Sequence, residues 1–411
     1  MEKIQDALIE NPYIASCQDT VFTVLLKHRF SHNTEKYKRL KSKSYIHGLL
    51  QYPHKWSAET DIFQYIKPKI FKRMKKHKWF FVFDASTEGF SPIYEFPFFD
   101  MLYYNCKKYN VDPRSIIFVS ANLKDEENII NYSKEHKVKP LNVFSFLSFE
   151  RVVTIEDKRY SNILETEYKT AFDNCYDQFD NKYFSSLSRV NRPYRSLATF
   201  LLCQSNIKDN ALISHDTLNL NIEAWRNQYN LSEYSNTDIE NWLNSLPLIA
   251  DRKDFDTNWA INTPYDHIHN QTLFQIVNET LVKDNLNTSM FYSEKTFRPI
   301  AYFQPMVIYG QPGCNKFLKA IGYELYDDWF DLSFDDIEDP VIRYKSLLDA
   351  VTDTVEYLKT LNRDDQISWR FKNKEKLIHN FSVMINSKYS KNKLMKFLRN
   401  LEIEYVNRPF S

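Results

Sequence analysis

The stretches FQIVNET, residues 274–280, and FYSEKTFRPIAYFQPMVIYGQPG, residues 291–313, decide how this chain folds. The apolar runs 274–277 and 306–309 have the length and composition of buried parallel strands. Between them lie Glu279, the tetrad Ser293-Glu294-Lys295-Thr296, and a short helical segment through Tyr302. Ser293 is a good N-cap, which puts the tetrad at a helix start, where backbone N–H groups collect without intrahelical partners. Such an end favours anions, and Lys295 adds a full positive charge. Glu294 suits a different task. A phosphate would repel its carboxylate, whereas sugar hydroxyls can donate hydrogen bonds to it. A plain helix start with an exposed Glu/Lys pair is the bland reading of the same residues.

Working outward, KYFSSL at 182–187 reads as a strand, followed by Ser188-Arg189-Val190-Asn191-Arg192-Pro193-Tyr194-Arg195 and a helix beginning near Ser196. Three arginines in a strand-to-helix turn suit a diphosphate, because guanidinium forks grip phosphate oxygens bidentately. A surface salt-bridge cluster is the alternative. ALIS at 211–214 is a further strand, ending at His215-Asp216, and residues 217–251 hold helices and loops around Trp225 and Trp242. The chain has only 5 glycines, far below the usual ~7%, so each is expected where positive φ or close approach requires it. Gly310, Gly313 and Gly322 cluster after the 306–309 strand, and Gly89 follows another strand. No GxGxxG fingerprint and no GxxxxGK[ST] phosphate loop can be written with this set.

The N-terminal half shows the same alternation. WFFVFD at 79–84 is a strand running into Asp84-Ala85-Ser86-Thr87-Glu88-Gly89. Acidic residues just past a parallel strand lie where open α/β sheets bind ligands. A helix over 98–109, a strand over 115–120, a charged helix over 124–136 and an apolar run over 141–147 follow. Alternating strands and helices imply an α/β fold, a parallel sheet with helices on both faces. Between residues 20 and 78, twelve lysines and three arginines stand against Glu35, Glu59 and Asp61. Aromatics interleave with these charges, so the stretch could track a phosphate backbone. It reads equally as a solvated helix face, with Phe63, Ile66, Ile70 and Met74 as the buried stripe.

The remaining signals bound the class. Residues 150–180 are charged and irregular, and mark the passage between two domains, which a 411-residue chain is long enough to build. Asp339-Pro340 opens a long helix over 341–361, and residues 369–411 keep a helical pattern. The five cysteines are scattered and form no CxxC, the pattern of reduced thiols in a cytoplasmic protein. No apolar run reaches membrane-spanning length. The acidic run 327–339 lacks EF-hand spacing, and the pair His267 and His269 lacks a third ligand.

The strand–Glu–Lys–helix–strand–Gly order resembles the donor-binding half of GT-B glycosyltransferases. It is most similar to the fucosyltransferase and exostosin-like group and to related phage-encoded transferases. Ser293, Glu294 and Lys295 match that group's helix-start motif, and Pro305 through Gly310 its following strand. Arg192-Pro193-Tyr194-Arg195 matches its Arg-Pro-x-Arg turn, with Tyr194 where a His is common. The resemblance covers most of residues 180–340. It implies two doubly wound Rossmann-like domains facing a cleft: an acceptor-side domain over 1–180 and a donor domain over 181–380. Residues 381–411 would form a helix returning to the first domain. The implied activity is transfer of a sugar from a nucleotide-diphosphate donor, with no metal and no cofactor beyond that co-substrate. Arg192, Arg195, Lys295 and the Ser293–Thr296 helix start would hold the diphosphate. Glu294 and Glu279 would orient hydroxyls, and Gly310 would leave room beside them. Glu88 is the candidate general base and Asp84 its alternate. The acceptor would be a glycan or a modified DNA base, the latter held by the basic stretch 20–78. A non-catalytic glycan- or nucleic-acid-binding module on the same fold is the other expectation.

Overall fold

The computed structural model describes residues 44–48, 57–66, 68–76, 80–86, 89–150, 164–250, 266–283 and 287–401. The fold is α/β with two parallel four-stranded sheets, and the chain divides into two compact units. Residues up to Arg151, with Asn285–Phe291 and Ser387–Ser411, make the first unit. Val152–Asp284 and Tyr292–Asn386 make the second.

In the first unit, β1 (Ser44–Gly48), β2 (Phe80–Ala85), β3 (Ile116–Ser120) and β4 (Asn142–Ser145) lie in the order β1-β2-β3-β4, all parallel. Every residue of β2 and β3 is buried, as their apolar runs require of strands covered on both faces. Cross-strand partners Phe83 and Phe118 stack their rings at 5.8 Å. Each such buried ring contributes roughly 1.5–3 kcal/mol. The stripe Phe63, Ile66, Ile70 and Met74 is buried in this core, with Phe63 edge-on to Phe81 at 4.9 Å. Strand β1 was not foreseen, because SYIHG is short and sits in a run of lysines.

The helix Lys388–Leu401 belongs to this unit: Phe397 lies 5.3 Å from Phe144, and Lys393 Nζ donates to Ser145 Oγ at 2.9 Å. Asp125, which opens the helix Asp125–Glu135, is fully buried. Its Oδ1 accepts from the Asn122 and Asn128 amides (2.8 and 2.9 Å), which also donate to the Thr288 carbonyl. Burial pushes the Asp125 carboxyl up to about 8.

In the second unit, β5 (Phe184–Ser188), β6 (Ala211–His215), β7 (Phe274–Asn278) and β8 (Met306–Tyr309) are again parallel, in the order β6-β5-β7-β8. The second strand of the unit lies on one side of β5 and the third on the other. The junction of β5 and β7 is therefore a topological switch point, where connections leave in opposite directions and open a crevice at the strands' carboxyl ends. The helix after β5 runs Pro193–Gln204, starting earlier than expected because Pro at its first position presets helical φ. Residues 195–202 of it are all buried, with Phe200 packed against Trp225, Tyr234 and Trp242 at 5.0–5.4 Å.

The helix Leu164–Gln178 also belongs to this unit rather than the first, its Tyr168 and Phe172 meeting Phe371 at 5.5 and 5.0 Å. Arg370 is fully buried and donates to four backbone carbonyls, those of His269, Thr272, Tyr302 and Phe303. It thereby closes the carboxyl ends of the helices Asp266–Gln271 and Glu294–Ala301, where a cation also opposes the helix dipole. No helix among the described residues is long and apolar enough to cross a membrane.

Candidate functional site

The residues singled out in 192–310 converge at the carboxyl ends of β5 and β7. Two helix starts face that end, and their chemistry differs. Ser293 caps Glu294–Ala301 as expected, its Oγ accepting from Lys295 N–H at 3.3 Å, so this terminus is partly satisfied by the protein itself. The helix Pro193–Gln204 has Arg192 at its N-cap position and no side-chain cap. The helix start left without a side-chain cap is therefore the one after β5, not the one at the tetrad.

Glu279, one residue past β7, is 1% exposed, and its carboxylate is fully occupied. Oε1 accepts from Ser293 N–H (3.0 Å) and Thr296 Oγ1 (2.6 Å); Oε2 accepts from Ser293 Oγ (2.7 Å) and Thr280 N–H (3.0 Å). Four bonds use the lone pairs that a carboxylate presents. Glu279 thus clamps the tetrad, and its carboxylate keeps no acceptor for a sugar hydroxyl in this arrangement. Gly310 explains itself beside it. A Cβ there would sit 3.0 Å from Cys314 Sγ and 3.6 Å from Glu279 Cβ, so the close approach is to protein rather than to a ligand. Gly89 behaves alike, with the Phe291 ring 2.1 Å from where its Cβ would be, whereas Gly313 and Gly322 have φ of +75° and +109°.

Glu294 and Lys295 form an ion pair at 2.6 Å, each side chain about one-fifth exposed at 21%. The pair is asymmetric. Burial works to raise the Glu294 pKa, but the charges of Lys295 and Arg298 outweigh it and lower the carboxyl to about 2. Lys295 is pulled below the usual lysine range by burial and by the like charge of Arg195, which Glu294 only partly offsets. Both observations describe a crowded cationic site in which Lys295 gains from any further negative charge.

Arg195 is the sharpest feature. It is 4% exposed; Nη2 donates to Thr280 Oγ1 at 2.6 Å, while Nε has no hydrogen-bond partner among the described residues. Burial lowers its pKa, the charges of Glu279 and Glu294 oppose that, and the charge of Arg192 adds to it. A buried guanidinium without a bonded carboxylate costs several kcal/mol that an anionic ligand would return. Arg192 itself is exposed at the mouth of the turn. The charge of Arg192 acts on Arg195 and that of Arg195 on Lys295, beside a helix start that has no side-chain cap.

Thr280, which receives Arg195, and Asn278, whose amide donates to Ser186 and Ser188 Oγ at 2.9 Å, were not singled out from sequence. An amide ending an apolar strand was the available signal. Arg343 was also missed. It is 1% exposed and donates to the Val282 carbonyl at 2.5 Å, so the loop after β7 is held from both sides by buried arginines. Asp84 lies in the first unit at the end of β2, 4% exposed, its Oδ1 accepting from Ser86 N–H at 2.9 Å. Glu88 and most of the basic stretch 20–78 lie outside the described residues, as does the side chain of His267. Among the described residues, no group of three or more His, Cys, Asp or Glu gathers as a metal site. Compared with known proteins, the chain matches no family model, no curated protein and no solved structure.

Proposed function

We propose that the second unit binds a nucleotide-diphosphate sugar and that the protein is a metal-independent glycosyltransferase of GT-B type. One observation carries this reading: Arg195, buried and lacking a bonded carboxylate, beside an uncapped helix terminus at a topological switch point. A diphosphate satisfies all three features at once. Arg192, Arg195 and Lys295 neutralise the charge that grows on the leaving diphosphate as the glycosidic bond breaks, which stabilises the transition state more than the ground state. Glu294, ionised across the physiological range, accepts hydrogen bonds from hydroxyls and marks the ligand as a polyol phosphate rather than a bare phosphate. The acceptor is a glycan or modified DNA base presented by the first unit. There Glu88 is the proposed general base that removes the acceptor hydroxyl proton, with Asp84 as the alternate.

The test is a thermal-shift panel of UDP, GDP, ADP, CDP and TDP with their common sugars, on wild type and Lys295→Ala. A rise of several degrees with one nucleotide, lost in the variant, supports the site. Slow hydrolysis of the matching nucleotide sugar, also lost in the variant, supports the transferase activity. No shift with any nucleotide refutes the reading, and normal turnover by Lys295→Ala refutes the site.

A further inference from the structure

The strand order places β6 and β7 on opposite sides of β5. The phosphate cradle past β5 is therefore flanked on both sides, and each flank ends in a carboxylate. On the β7 side it is Glu294, on the helix linking β7 to β8. On the β6 side it is Asp216, the first residue past that strand.

Asp216 is exposed, yet its backbone is fixed. Its N–H donates to the Arg189 carbonyl at 3.3 Å, which ties it to the arginine turn itself. Its own carbonyl lies 2.7 Å from His215 Nδ1, a distance that puts the imidazole proton on Nδ1. His215 is 1% exposed and locked in turn: its backbone N–H and C=O both bond Leu248 at 2.9 Å, and its Nε2 lies 3.0 Å from Ser196 Oγ. The neighbouring Asn191 amide donates to the Thr217 carbonyl at 2.6 Å, a second tie between the two turns. On this rigid support the Asp216 carboxylate accepts one hydrogen bond, from Thr217 N–H to Oδ1 at 2.9 Å, and has no ion-pair partner among the described residues. Adjacent strands lie about 4.8 Å apart, and His215 pairs with Ser188, so the Asp216 backbone stands about one strand spacing from the start of the arginine turn.

We propose that Asp216 is the ribose-recognising residue of the site, its carboxylate accepting the vicinal hydroxyls of a ribonucleoside whose diphosphate rests on the Pro193 helix terminus. A carboxylate only accepts, so its natural ligand here is a pair of hydroxyl donors, and a cis-diol offers two at matching separation. In dinucleotide-binding α/β sheets an acidic residue about 20 residues past the phosphate turn takes this role toward ribose. The nucleoside then lies on the β6 side, and Glu294 is left to the sugar on the β7 side. The inference rests on the nucleotide-sugar reading and adds an orientation to it.

The test measures Kd for UDP, GDP, ADP and CDP and their 2′-deoxy counterparts with the full chain, by titration calorimetry. The proteins are wild type, Asp216→Asn and Glu294→Gln, with unchanged melting temperature as the folding control. We expect wild type to bind its preferred ribonucleotide at least about tenfold more tightly than the 2′-deoxy form, the scale of a lost charge-assisted hydrogen bond. Asp216→Asn should bring the two within about threefold, and Glu294→Gln should leave the ratio standing. A ratio near one in wild type, a ratio that persists in Asp216→Asn, or one abolished by Glu294→Gln instead overturns the assignment. Those outcomes leave nucleotide binding intact; failure of wild type to bind any of the nucleotides overturns the underlying reading as well.

Discussion

At the residue scale, Lys295 and Asp125 show burial acting on opposite charges with opposite sign. Lys295 is depressed by burial and by Arg195, so it sheds its proton at lower pH than a solvated lysine. Nucleoside diphosphate affinity should therefore fall as pH rises, over a window that opens below the usual lysine range. Lys295→Arg should keep its affinity across that window, since guanidinium stays protonated. Calorimetric titrations at stepped pH check this, and parallel curves for the two proteins would sink it.

Asp125 is raised from 3.8 to about 8 by burial. A folded pKa above the unfolded one contributes stability that is fully present below about pH 4 and lost as pH climbs through about 8. Asp125→Asn retains an acceptor for the Asn122 and Asn128 amides and has no charge to bury. Urea denaturation at pH 5 and pH 9 should show the wild type losing stability with pH by at least about 1 kcal/mol and the variant holding level. An equal pH dependence in both would show that Asp125 is not the titrating group.

At the element scale, the helix Glu294–Ala301 is short and interrupted by Pro299, so propensity contributes little to it. It is held at both ends by side chains from elsewhere: Glu279 grips its start, and Arg370 closes its end. Arg370→Ala removes the guanidinium from four carbonyls, of which that of Thr272 keeps the Gln304 amide, and should destabilise the second unit by about 3–5 kcal/mol. Chemical denaturation followed by tryptophan fluorescence reads this, and a loss under about 1 kcal/mol would mean that solvent replaces the guanidinium. Arg370 also supports Phe303, whose φ of +49° is unusual for an aromatic residue. Its ring stacks on Phe381 at 4.7 Å and meets Tyr168 edge-on at 5.6 Å, so packing holds the left-handed conformation at the helix end.

At the scale of the whole molecule, the two units carry their chemistry separately. All donor-site candidates fall in the second, and Asp84 falls in the first. Hydrogen exchange with a bound nucleoside diphosphate should slow the amides of 189–195 and 279–283, while β2 and β3, already buried, stay unchanged. Protection confined to the first unit would move the site.

Every strand but β1, and most helices, were legible because hydrophobic period and turn residues are local. The runs 274–277 and 306–309, the Ser293 cap and the Asp339 cap all need only neighbours in sequence. The tetrad, the arginine turn and Gly310 were also readable as special. Their division of labour was not. Sequence places Glu279 and Glu294 alike beside a helix start, and only the fold shows that one carboxylate is spent on four internal bonds while the other stays within reach of solvent. Likewise, composition puts three arginines in one turn, but burial alone sets Arg195 apart from Arg192. Periodicity is a property of the chain, so the sequence by itself determined the α/β alternation and the location of the polar motifs. Strand order, desolvation and pairing depend on residues up to hundreds of positions apart, so only the tertiary structure decided where the crevice opens and which charges remain uncompensated.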